Sequence, residues 1–200
     1  MSETYTVQAG DDSWMNQAAA TTNYYTTTYT AVGSDGTNRF IAIYKFDLSP
    51  IIGTEIVSAT FTTYMSQEYA GTNRTGYLFR LLVEWTPNLV TYNKRTASNW
   101  TSPGARGSGT DTDRTAFSSR TLNQSVAPGT AWDWTLDTTV VQGWADGDYE
   151  NHGWVLDPNY SSYNDYWRLC SFEHGTTSYH PKLVVVYNIV GSQLQTVIMS

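Results

Sequence analysis

The sequence predicts an all-β fold, a jelly-roll β-sandwich of two antiparallel sheets, and three observations point to it. Strand-length runs alternate in hydrophobicity with a period of two. Clusters of Gly, Pro, Asn, Asp and Ser separate those runs. The composition favours strands: roughly 30 threonines stand beside 15 Tyr and 8 Trp, and β-branched and aromatic side chains suit a pleated, half-buried surface. One domain is expected over residues 1–189, followed by a C-terminal tail, 190–200.

Each run is legible in order. Residues 39–46 alternate Phe40, Ala42, Tyr44 and Phe46 against Arg39, Ile41, Ile43 and Lys45, then stop at the turn sequence Asp47-Leu48-Ser49-Pro50. Val57, Ala59, Phe61 and Thr63 form one face of the next strand. Tyr77, Phe79, Leu81, Val83 and Trp85 make the clearest period-two face in the chain. Residues 98–128, rich in Gly, Ser, Thr and Asp, predict a surface excursion or a pair of irregular strands. Further strands are expected at 132–136, 153–156, 166–172 and 183–189, the last directing Leu183, Val185, Tyr187 and Ile189 to one side. Residues 138–144 are the one candidate for a short helix.

Composition also narrows function. Only 14% of the chain is charged, with 11 Lys and Arg against 18 Asp and Glu, giving a net charge of -7. No basic field exists to displace counterions from phosphates, so neither nucleic acid nor an anionic membrane surface is an expected partner. Cys170 stands alone, which excludes an internal disulfide. The first seven residues hold no basic and apolar leader pattern, so synthesis in a cytoplasm without a signal peptide is expected.

Several segments, taken in order, resemble the DNRLRE-domain family. They are Arg39 with Tyr44-Lys45-Phe46-Asp47-Leu48-Ser49, Ser58-Ala59-Thr60-Phe61, and Val90-Thr91-Tyr92-Asn93. Val140-Val141-Gln142-Gly143-Trp144 with Asn151-His152-Gly153, and Ser171-Phe172-Glu173 with Pro181-Lys182-Leu183, complete the set. Pro87 and Tyr92 depart from the family pattern, standing near an acidic position and at a Trp position. The resemblance implies a jelly roll, some of whose relatives are carbohydrate-binding modules of secreted polysaccharide-degrading or adhesive proteins, while others occur in phage structural proteins.

No catalytic residues are expected. A Gly-x-Ser-x-Gly elbow is missing, and Cys170 lies in a strand pattern, where a lone Cys packs as a small hydrophobe. His152, His174 and His180 match no zinc spacing. Asp146, Asp148 and Glu150 put three carboxylates in one turn and form a candidate calcium site, with solvated turn acids as the alternative. Two aromatic stretches are the candidate ligand-binding or subunit-contact surfaces. One contains Trp14, Tyr24 and Tyr25; the other, read as a loop, contains Tyr160, Tyr163, Tyr166 and Trp167. Interleaved Tyr, Ser and Asn is the composition of adaptable recognition surfaces. Trp85 and Trp144 are read as packing.

Two functions follow as expectations. The first is a non-catalytic virion structural protein of a phage (a capsid decoration, head-fibre or tail-appendage subunit) whose partners are other copies of itself or other virion proteins. The second is an extracellular glycan-binding module whose partner is a cell-surface polysaccharide.

Overall fold

The computed structural model describes residues 2–7, 10–160 and 162–189. It holds eleven strands and one α-helix: β1 (Ser2–Val7), β2 (Gly10–Asn16), β3 (Tyr29–Asp35), β4 (Arg39–Phe46), β5 (Glu55–Tyr69), β6 (Arg74–Leu81), β7 (Thr112–Leu122), β8 (Ala131–Thr135), α1 (Thr138–Asp146), β9 (Trp154–Asp157), β10 (Asn164–Cys170) and β11 (Lys182–Asn188). Every ladder between these strands is antiparallel. The expected all-β sandwich is present.

The long β5 joins two layers. Residues 55–62 pair with β11, residues 60–64 with β8, and the last five residues lie along β10. From β10 the second layer continues through β3, β4, β9, β6 and β7, with β2 added on β4. The sheet thus curls over itself around Tyr44, Phe46, Phe61, Trp132, Trp134, Trp154 and Trp167, all at most 1% exposed. These rings meet edge-on or offset, as between Phe61 and Trp154 at 5.1 Å, the geometry preferred by aromatic quadrupoles.

A second core lies on the far side of β4. Ile41 and Ile43 point there while Ala42 and Tyr44 point into the sandwich, so both faces of this strand are buried. Residues 82–111 fold back over it and supply Trp85, Val90, Tyr92, Trp100 and Ala105. This changes the reading of two segments. The face of Tyr77, Phe79 and Leu81 packs into the second core, not the sandwich, and the strand ends before Val83. The expected surface excursion is in part this cover, with Trp100 buried, and in part β7, a full partner of β6.

Other differences have local causes. The β5–β11 register slips at Val57, so Ile56 and Ala59 both turn inward while Val57 stands 49% exposed. Ile189, expected inward, is 64% exposed beyond the end of β11. Strands β1, β2 and β3 were not legible, since β2 reads Gly-Asp-Asp-Ser-Trp-Met-Asn and buries Asp12 and Ser13. The helix forms and runs two residues longer than expected. The Asp137 carboxylate accepts from Thr139 N–H at its start, and Gly147 closes it in the left-handed region at φ 76°. The tail, 190–200, lies outside the described residues.

Candidate functional site

The connection from β9 to β10 gathers charge and exposed aromatic surface at one end of the sandwich. Asp157 closes β9 with its side chain 1% exposed. One carboxylate oxygen accepts from the Asn159 N–H at 2.7 Å, a turn that holds Asn159 at φ 63°. The other accepts from Arg106 and, at 3.1 Å, from Arg114. Both guanidiniums also donate to Asn159 Oδ1 at 3.0 Å. Arg114 lies over the Phe79 ring, 3.8 Å from its centroid. Arg39, the first residue of β4, lies within their field: burial lowers its pKa most, Arg106 lowers it further, and Asp157 opposes both. Two guanidiniums therefore hold one carboxylate, with a third close enough to feel their charge, a local positive excess in an acidic chain.

Tyr160 stands beside this group. Its hydroxyl donates to the Asp165 carbonyl at 3.0 Å. Burial, then the nearby Asp165, pushes its phenol above the ordinary range, with a smaller contribution from Asp157. Tyr163 meets Tyr160 edge-on at 5.5 Å and remains 47% exposed. One face of Tyr163 is covered by the Arg74 guanidinium at 3.6 Å. That guanidinium is fixed by Asp165, which accepts from Arg74 Nη2 at 2.7 Å and from the backbone N–H of Gly71 and Thr72. The result is a phenol ring backed by a held cation, with substantial surface left open.

The expected residues divide. Tyr160 and Tyr163 lie together on this face. Tyr166 sits on the outer side of β10, stacked on Tyr69 at 4.5 Å, with Phe40 edge-on at 5.1 Å. Trp167 is corrected: it is wholly buried, and its indole N–H donates to the Asn123 carbonyl at 2.8 Å. The segment read as a loop becomes β10 at Asn164, and alternation then turns Trp167 inward. Trp14 is corrected as well, being 6% exposed beneath Tyr24, whose ring stacks on it at 4.0 Å. Tyr24 and Tyr25 remain half-buried, and Tyr24 packs against the Trp14, Ala31 and Phe40 cluster that Tyr166 also joins. Arg74, Arg106 and Arg114 were not singled out, and Arg39 was noted only for the family resemblance, because the four come from separate segments with no shared spacing.

The acidic turn is dispersed. Asp146 ends α1 and accepts from Gln142 Nε2 at 2.9 Å, while the Glu150 carboxylate lies 3.4 Å from His152 Nε2. Among the described residues, no three His, Cys, Asp or Glu side chains converge as a metal ion requires.

The family model of the disaggregatase related repeat domain matches residues 12–185, from within β2 into β11. No curated protein matches the chain.

Proposed function

The chain belongs to the disaggregatase related repeat family, and we propose that it is a non-catalytic module that binds an anionic polysaccharide at the β9–β10 face. The observation that carries this reading is the exposed Tyr163 ring, backed by Arg74, on the connection whose Asp157 is shared by Arg106 and Arg114 and acts electrostatically on Arg39. A pyranose ring lays its C–H face on a phenol, and a uronate or sulfate group accepts paired N–H donors from guanidinium. Asp157 and Asp165 are engaged as acceptors for arginines and backbone N–H groups, which suits them to positioning and not to acid–base work. The resemblance to a family with carbohydrate-binding members supports the same reading.

The test is a polysaccharide array probed with the purified protein. Saturable binding is expected to uronate- or sulfate-bearing chains and is expected to weaken as salt rises. Tyr163→Ala is expected to lose about tenfold in affinity, the scale of one aromatic contact. A clean negative across the anionic polysaccharides overturns the proposal. A place in a phage virion is compatible with such a face and remains a separate proposal. A protein that sediments as a monomer at high concentration counts against it.

A further inference from the structure

We propose that the cavity between the end of β4 and the end of α1 is a second, independent binding site, and that it takes a small cationic ligand: a protonated amine on an apolar body. The cavity measures about 670 Å³, a volume suited to a small molecule. Phe46, Leu48 and Trp144 supply its apolar wall, and all three are buried. Ile52 stands 65% exposed at its lip, apolar surface that an occupant would cover.

Charge chooses the ligand. Asp11, Asp47 and Glu150 line this space against the single ammonium of Lys45. Lys45 and Asp11 are cross-strand partners in the β2–β4 ladder, so Asp47 and Glu150 carry the excess. The Ser49 N–H donates to the Asp47 carboxylate at 2.9 Å and helps hold its pKa below the usual range. An apolar wall with a negative rim favours a cation over a neutral or anionic molecule of the same shape.

Trp144 supplies a reporter for the site. Its side chain is 4% exposed, and its indole nitrogen has no acceptor among the described residues. A buried N–H without a partner carries an uncompensated desolvation cost. Trp144 lines the cavity, so its indole signal reports on an occupant of that space.

Tyramine is the probe, followed by ¹⁵N–¹H correlation spectra of the whole protein. The Trp144 indole signal is identified through its proximity to Tyr149, whose ring centroid lies 6.4 Å away. Titration is expected to shift that signal saturably, and 4-ethylphenol, which lacks the amine, is expected to bind about tenfold more weakly. Glu150→Gln, at an exposed position, is expected to weaken tyramine severalfold, and Ser49→Trp, which fills the mouth, is expected to abolish the shift. Equal binding of the neutral phenol, no shift at millimolar tyramine, or a shift that survives Ser49→Trp each overturns the proposal. None of these results depends on the polysaccharide face, so the two proposals fail separately.

Discussion

Replacing Asp157 with Asn tests whether the arginine cluster depends on its carboxylate. Asp157 is 1% exposed, while Arg106 and Arg114 retain 22% and 18% of their side-chain exposure. The amide keeps the oxygen that accepts from Asn159 but removes the charge that both guanidiniums share. Loss of one partner from a buried ion pair costs about 3–5 kcal/mol, because the other charge stays desolvated. Partial exposure of the arginines places this case at the low end, about 3 kcal/mol, which for a chain of this size lowers Tm by roughly 6–12 °C. Urea and thermal denaturation followed by far-UV circular dichroism measure the loss, and an unchanged denaturant slope shows that the native state is preserved. Added sulfate is expected to restore more stability to Asp157→Asn than to the wild type, since an anion at the exposed parts of Arg106 and Arg114 then replaces the lost charge. A variant as stable as the wild type, or one indifferent to sulfate, refutes the reasoning about the cluster.

Three further outcomes follow from single contacts. Asp12 is buried, and desolvation, then the Glu173 charge, raises its pKa well above 3.8. The native state therefore holds this proton more tightly than the unfolded chain, and stability falls as pH rises from about 3.8 through the raised value. Asp12→Asn still accepts from the Phe172 N–H, and it is expected to exceed the wild-type Tm at neutral pH, with the gap closing in acid; a gap independent of pH rejects this. Gly33 has φ 132°, and a β-carbon there would sit 2.4 Å from the Asp165 carbonyl and Tyr166 Cα, so Gly33→Ala is expected to separate β3 from β10 and cost at least about 3 kcal/mol in chemical denaturation. Chelation with EDTA is expected to leave Tm unchanged, because Asp146 and Glu150 are directed to Gln142 and His152; a drop of several degrees restores calcium to Asp146, Asp148 and Glu150.

Local pattern determined the strand character of this protein. Alternation marked β4, β8 and β11, turn residues marked the end of β4, and residues 138–144 stood out as a short helix, although its caps at Asp137 and Gly147 were not read. These signals are local because a strand's two faces and a helix's unsatisfied termini are set by residues a few positions apart. The tyrosines at 160 and 163 were also legible, as aromatic residues in a polar connection.

Tertiary structure decided the rest. Residues 41 and 43 read as an outer face until residues 82–111 fold over them, and no spacing within β4 records that cover. Trp167 looks like its neighbour Tyr166 in sequence, yet the start of β10 at Asn164 sends one ring into the core and the other to the surface, because a one-residue change of register inverts every side chain. The arginines appear scattered along the chain, and only the ladders joining β4, β9, β6 and β7, with the cover that carries Arg106, bring Arg106 and Arg114 to Asp157 and Arg39 within the field of the group. A cluster of charges drawn from separate segments has no sequence period, since its distances are set by strand pairing and not by separation along the chain.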